Sequence, residues 1–345
     1  MPKFSLINYK NSGKDLFDLG IDLGTSNTLI YIKGKGIVLN EPSIIAVKYG
    51  TKKIVAAGTE AEKILLENPD NITAIRPIRG GVIADIESAE KMLCYFLSRA
   101  LPDYRIIRPR MVICVPSCNT EVEWRAVEEI ADKTGAREVH LIYESLAAAI
   151  GADIPIEEPA GHMICDIGGG VTEISVITLG DMVLTNAIRL GGDEFDQAIL
   201  KHVHNAHNLI IGEQAAERIK MEIGNALPVK NITKMEVKGN DAITGLPRRL
   251  EIDSAEINGA LKESVTQIVD EIKVILGKTP PELAADIVER GIVMTGNGSL
   301  LEGLDKLIAK ESGVPTIISE QPGNFAVIGA GNYFDYLKAF NYDRA

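Results

Sequence analysis

Two acidic residues lead two similar glycine turns. Asp22 opens Asp22-Leu23-Gly24-Thr25-Ser26-Asn27-Thr28, and Asp166 opens Asp166-Ile167-Gly168-Gly169-Gly170-Val171-Thr172. Each turn follows an apolar run and precedes a β-branched one, the pattern of a hairpin with a wide turn. Successive backbone N–H groups in such a turn converge on one point and can cradle an anion, typically phosphate. A single copy is weak evidence, and a lone aspartate there reads as a turn cap. Two copies 144 residues apart, each with Asp at the same offset, carry more. They predict a duplicated domain whose hairpins face each other across a cleft and clamp the phosphate tail of a nucleotide. Asp22 and Asp166 would hold Mg²⁺ through its waters, because Mg²⁺ keeps most of its hydration shell and accepts few carboxylates.

A third glycine turn, Thr295-Gly296-Asn297-Gly298-Ser299, also follows a strand-like run. Alone it is an ordinary strand-to-helix connection. Beside the other two it becomes a candidate for the base and sugar. The polar residues of Glu217-Arg218-Ile219-Lys220 are candidates for the same contacts, although in isolation they read as a solvated helix face.

These turns need elements to position them. Helical spacing or helix-start chemistry marks residues 88–100, 121–134, 143–151, 212–224 and 254–276, and a Gly191-Gly192 turn opens another helix. Residues 230–252 read as strands with turns at Gly239-Asn240 and Thr244-Gly245. Gly329-Ala330-Gly331 heads a C-terminal helix. Strands and helices alternate throughout, so the class is α/β. At ~150 residues per domain, 345 residues predict about two domains.

Composition narrows the function. Lys and Arg number 36 against 48 Asp and Glu, a net charge of −12 that argues against a general nucleic-acid binder. No apolar run approaches the ~20 residues needed to cross a bilayer, and residues 1–18 lack a signal-peptide core. Cys94, Cys114, Cys118 and Cys165 form no CxxC pair and read as reduced, buried thiols of a cytoplasmic protein. His202, His204 and His207 cluster, but residues two apart on a helix point to different sides, so His202 and His204 do not make a metal site.

The strings DLGTSNT, DIGGGVTE, GGDEFD, ERIK, KTPPEL and TGNGSLLEGL resemble the actin, heat-shock-70 and sugar-kinase ATPase superfamily, and within it the MreB family of bacterial actin homologues. The resemblance runs from about Leu16 to Gly331. It implies duplicated actin-like, ribonuclease-H-like domains, each with a large and a small subdomain, and ATP with Mg²⁺ in the cleft between them. The first domain would span 16–155 (small subdomain about 43–80) and the second 156–345 (small subdomain about 190–255). It maps phosphate contacts onto Thr25, Ser26 and Asn27, and onto Gly168, Gly169, Gly170 and Val171. It maps nucleoside contacts onto Glu217, Arg218, Ile219 and Lys220, and onto Gly296, Asn297, Gly298 and Ser299. It places the water-orienting catalytic carboxylate at Glu144, a role that suits an inward-facing glutamate as general base. The sequence departs from the family pattern at Tyr143-Glu144-Ser145, where Glu-Glu-Pro is usual, and at Val171, where Thr is usual. It departs again at Asn297, which interrupts a glycine run, and over residues 320–325. Val171 removes a hydroxyl thought to help place the attacking water, so binding is expected intact and hydrolysis slow.

The family further implies self-assembly into filaments, with paired protofilaments, and a place at the inner face of the cell membrane beside membrane proteins of morphogenesis. Two segments could make the membrane contact: residues 1–9, with Phe4, Leu6 and Ile7, and a loop at 102–110 carrying Ile106 and Ile107 among arginines. The loop is the better candidate, since Pro2 interrupts the N-terminal pattern. The expected protein is an actin-like, cell-shape filament with weak assembly-linked ATPase activity. The competing expectations are a nucleotide-binding filament with little turnover, and a soluble ATPase of the chaperone or sugar-kinase type. The chaperone needs a further substrate domain and the kinase a sugar pocket, and no pattern for either is found.

Overall fold

The two glycine-turned hairpins are the seeds of two sheets with the same strand order. The computed structural model describes residues 17–343 apart from 52 and 68–70, so the candidate membrane segment 1–9 lies outside the described residues. In the first sheet, Asp18–Leu23 pairs antiparallel with Asn27–Ile32, which pairs with Gly36–Pro42. On its other side Asp18–Leu23 runs parallel to Arg110–Val115, which runs parallel to Glu138–Tyr143. The second sheet repeats this arrangement. His162–Ile167 pairs antiparallel with Thr172–Thr178, which pairs with Asp181–Ile188, while Ile292–Thr295 and Thr316–Ile318 add in parallel on the other side. The duplication expected from two Asp-led turns is therefore present in the order of ten strands.

Each sheet carries an insertion after its third strand. The first insertion holds a small sheet of Ile45–Lys48, Ile54–Ala57 and Ile72–Ile75. The second holds Leu209–Ile210, Lys234–Asp241 and Pro247–Asp253. Only one of the two turns expected in this second insertion forms, at Asp241 to Leu246, where the Asp241 carboxylate accepts the N–H groups of Ile243 and Thr244. Gly239-Asn240 lies within a strand instead. Its glycine is there because Leu209–Ile210 passes so close that a Cβ would strike the Ile210 carbonyl.

Strands that are covered on both faces read as continuous apolar runs, and every residue of His162–Ile167 is buried. The helices start where their caps allow. Asp253 accepts the N–H groups of Ala255 and Glu256 while Glu256 reaches back to the Asp253 N–H, a capping box. The helix Ser254–Lys278 that follows buries Ile257, Leu261, Val265, Ile268, Ile272 and Ile275, an apolar stripe at three- and four-residue steps. Thr120 and Glu123 make a second such box before Glu121–Lys133.

The last helix, Phe325–Asp343, leaves the second sheet and packs on the first. Ala326, Ala330 and Phe334 join Val112, Cys114, Ile142 and Ala147 in one buried cluster. By packing, this C-terminal element of the sequence-defined second domain therefore covers the first sheet. Small residues make the crossing possible. A methyl group on Gly329 would strike the Ala147 carbonyl, one on Gly151 the Phe325 carbonyl, and one on Gly20 the Gly331 amide. Arg110 secures the same region. It holds the buried Asp18 carboxylate through two hydrogen bonds of 2.7 Å and lies 3.8 Å over the Phe334 ring. Among the described residues no helix is long and apolar enough to cross a membrane.

Gly329→Val forces two backbones apart and is expected to cost about 3 kcal/mol, the upper end for overpacking. Gly259→Ala, in the helix Ser254–Lys278 with open space around it, is expected to stabilise by about 0.5–1 kcal/mol. Denaturant midpoints of the two variants test the contrast, and equal shifts refute the close-packing account.

Candidate functional site

The two hairpin turns meet. A Cβ on Gly169 would collide with the Ser26 side chain, and one on Gly170 would lie 2.8 Å from both the Thr25 hydroxyl and the Gly80 Cα. Glycine fits here because the Ser26 and Thr25 side chains and the Gly80 backbone leave no space for a Cβ. Polar groups bridge the gap. Ser26 Oγ donates to Asp193 Oδ1 at 3.0 Å, while Thr25 Oγ1 accepts the Gly81 N–H at 2.9 Å within the first half. Asn27, half-buried, begins the returning strand of the first hairpin. Behind the second turn, the Gly192 N–H donates to the Gly168 carbonyl and the Asp193 N–H to the Gly169 carbonyl. The start of the helix Gly192–His207 is thereby joined to the turn. Val171 is buried, and a Cβ on Gly81 would meet its Cγ2 atom at 2.5 Å.

Four carboxylates converge beneath these turns. Asp22 and Asp166 end the outgoing strands of the two hairpins, Glu144 starts the helix Glu144–Gly151, and Glu173 stands opposite Asp166 in the second hairpin. Burial pushes the Asp22 carboxyl up to about 7. Burial, then the charges of Asp22 and Glu173, push Asp166 up to about 7, with the Thr295 hydroxyl offsetting part of the rise. Glu144 is held well above the usual carboxylate range by burial first, then by Asp22, Asp166 and Glu173. Such a set is short of positive charge. A divalent cation relieves both the desolvation and the mutual repulsion, so the donor set fits Mg²⁺, with Asp22 and Asp166 as the residues to hold it. The facing glycine turns likewise fit a phosphate chain.

Glu173 was not singled out in the sequence. Its carboxylate is almost wholly buried, yet it accepts the Ser117 N–H at 2.5 Å and the Ser145 N–H at 3.1 Å. It ties the second hairpin to two segments of the first half of the chain, one of them the start of the helix bearing Glu144. The available signal was a charge in the otherwise uncharged strand Thr172–Thr178, since a buried charge needs partners. Arg189, also missed, bridges the Gly80 carbonyl and Glu123.

The third glycine turn packs against the second hairpin. A Cβ on Gly296 would meet Asp166 Oδ1 at 2.5 Å, and one on Gly298 the Ile167 side chain at 2.5 Å. The buried Ser299 hydroxyl is turned inward and donates to the Gly296 carbonyl at 2.6 Å. Asn297 lies against Gly323, and the Gly296 N–H donates to the Pro322 carbonyl. Two of the departures from the family pattern, Asn297 and residues 320–325, are thus in direct contact.

The expected nucleoside residues divide. Lys220 reaches the site, donating to the Gly192 carbonyl at 3.0 Å and to Asp196 at 2.9 Å. Glu217 and Arg218 are exposed on the same helix, Glu213–Ile223. Ile219 does not fit the expectation. Its side chain is fully buried in the core under the second sheet and offers a ligand no surface.

The candidate membrane residues divide too. The expected loop contains a helical turn, Tyr104–Ile107. Adjacent positions on a helix face different directions, so Ile106 is 82% exposed while Ile107 packs against the first core. One isoleucine is presented, not two.

The comparisons with known proteins agree with this geometry. The family model described as MreB/Mbl protein matches residues 16–342. The cell shape-determining protein Mbl of Bacillus subtilis is 45% identical over 320 residues, covering 93% of this chain and 96% of that protein. The cell shape-determining protein MreB of Escherichia coli K12 is 46% identical over 325 residues, covering 93% and 94%. The crystal structure of MreB 5 of Spiroplasma citri bound to AMPPNP superposes with a TM-score of 0.88 at 34% identity, covering 96% of this chain and all of that one. A duplicated sheet with facing glycine turns, matched along nearly its whole length, places this chain in the MreB/Mbl family of actin-like proteins.

Proposed function

We propose that this chain is an ATP-binding, filament-forming protein of cell-shape maintenance, with slow ATP hydrolysis linked to assembly. The observation that carries the reading is the convergence of Asp22, Asp166 and Glu144 beneath two facing glycine turns. Support for the nucleotide comes from the MreB 5 relative bound to AMPPNP, and for the cellular role from relatives described as cell shape-determining. Thr25, Ser26, Asn27 and the amides of Gly168 to Val171 bind the phosphates. Mg²⁺, when bound through water to Asp22 and Asp166, supplies charge neutralisation for the triphosphate. Glu144 receives the proton of the attacking water and orients it, a task suited to a carboxylate whose proton affinity burial has raised. Lys220 borders the second turn where the ribose would lie.

Turnover is slow because Val171 presents methyl groups where a hydroxyl could give the water another partner. This aliphatic wall also favours a second reading, a nucleotide-binding filament that hardly hydrolyses. Phosphate release measured alongside pelleting separates the two.

Membrane attachment on this reading uses Ile106 with its exposed neighbours Arg105 and Arg108. One inserted isoleucine contributes roughly 1.5–3 kcal/mol at best. A filament that presents many copies gains avidity without new contacts, and the arginines offset the repulsion between a chain of net charge −12 and an anionic leaflet.

Removing the cation should leave a pH signature. From the ordinary aspartate value of 3.8 up to about 7, the metal-free folded chain holds more protons on Asp22 and Asp166 than the unfolded chain does. Its stability therefore falls as pH rises across that window. Melting temperatures in EDTA at pH 5 and pH 8 should show the fall, and Mg²⁺ with nucleotide should reverse it. Asp166→Ala should flatten the dependence and weaken Mg²⁺-nucleotide far more than metal-free nucleotide. Equal weakening with and without Mg²⁺ refutes the metal role. Glu144→Ala should lower phosphate release by about 100-fold with nucleotide binding retained, and Val171→Thr should raise it. Full activity of Glu144→Ala at equal polymer mass means that another group positions the water. Ile106→Ser should abolish co-sedimentation of polymer with anionic vesicles while polymerisation survives. Undiminished co-sedimentation rules out this contact.

A further inference from the structure

Away from the cleft, two histidines and a glutamate share one point. His202 and His207 lie on the helix Gly192–His207, and Glu256 lies in the first turn of Ser254–Lys278. His202 Nε2 is 3.1 Å from Glu256 Oε2, and His207 Nε2 is 2.7 Å from the same oxygen. All three ligand atoms lie within 4.8 Å of one another. The rings stand nearly perpendicular, at 82°, with centroids 6.1 Å apart.

We propose that His202, His207 and Glu256 form a binding site for a first-row divalent cation, Zn²⁺ foremost, which clips together the ends of two helices in the second half of the chain. Zn²⁺ binds imidazole nitrogen and carboxylate oxygen at about 2.0–2.2 Å in a tetrahedron, which puts ligand atoms roughly 3.3 Å apart. The observed separations from Glu256 Oε2, 3.1 and 2.7 Å, both fall short of that value, so the side chains need only spread slightly to admit the ion. The carboxylate is already oriented, because its other oxygen accepts the Asp253 N–H of the capping box at 2.9 Å. Each of the three side chains is about one-quarter exposed, which gives the ion an entry path and a water as fourth ligand. Arg248 Nη2 donates to the His207 carbonyl, and that guanidinium is paired with Asp241 at 2.7 Å. Two imidazoles and one carboxylate favour Zn²⁺ over Mg²⁺, whereas the all-carboxylate cleft favours the harder ion.

The sequence concealed this set. His204 is the tempting neighbour, but it faces solvent beside Asn205. The true partners are five residues apart, and the third ligand comes from 49 residues further on.

The test uses the full chain, stripped with EDTA, dialysed, and titrated with zinc chloride in excess Mg²⁺ so that the cleft carboxylates are occupied. The wild type should take up one Zn²⁺ per chain with a rise in melting temperature, and Co²⁺ in its place should show the visible absorption of a tetrahedral site. His202→Gln combined with His207→Gln should lose the site, with affinity down at least about 100-fold. Should that variant fail to fold, Glu256→Gln keeps an acceptor for the capping hydrogen bond and should still weaken Zn²⁺ markedly. No zinc on the wild type at micromolar concentration overturns the proposal. So does equal zinc content in wild type and variant.

Discussion

Four carboxylates at the floor of one cleft are the constraint around which the structure is arranged. Left alone, they repel one another and resist burial, and the raised proton affinities of Asp22, Asp166 and Glu144 record that cost. Much of the surrounding architecture deals with it. Glu173 is held by two backbone amides, and Asp22 and Glu144 are only partly buried. A protein that needed only a stable core would not assemble such a set. On the proposed reading, a bound cation would relieve that cost.

Polar bridges join the two halves beside the apolar packing of the last helix. Ser26 with Asp193, Arg189 with Gly80, and Glu173 with Ser117 and Ser145 all run between segments far apart in sequence. Most are single hydrogen bonds near solvent, each worth about 0.5–1.5 kcal/mol. Such contacts can be exchanged for ligand contacts at little net cost, whereas the apolar cores beneath each sheet cannot. The cores fix each half, and the seam between them combines these polar bridges with the apolar packing of the last helix.

The hairpins and most helices were legible in the sequence because their signals are local. An Asp-led glycine turn between β-branched runs, or a Thr or Asp three residues ahead of a Glu, specifies its own geometry. The misreadings share a cause, which is dependence on a partner remote in sequence. Gly239 resembled a turn, but it is small because Leu209–Ile210 lies against it. Ile219, carried over as a nucleoside contact from the family pattern, belongs to the second core, and Ile107, read as a loop tip, packs against the first. Glu173 sat inside a recognised motif, yet its role depends on Ser117 and Ser145, which no spacing rule connects to it. The family pattern supplied the candidate site because it already encodes such remote relations.

The course of the last helix has a consequence for how the chain acquires its structure. Val112, Cys114 and Ile142 of the first sheet are sealed by Ala326, Ala330 and Phe334. A growing chain therefore completes the strands of its first half long before the element that covers one of their faces exists. Until residues beyond 325 emerge, that face is exposed apolar surface, a hazard for any nascent chain at crowded concentrations. The glycines at the crossing permit late docking, since a helix with little side-chain bulk can settle on an already formed surface. During synthesis the closure of the beginning of the chain by its end waits for residues 325–343.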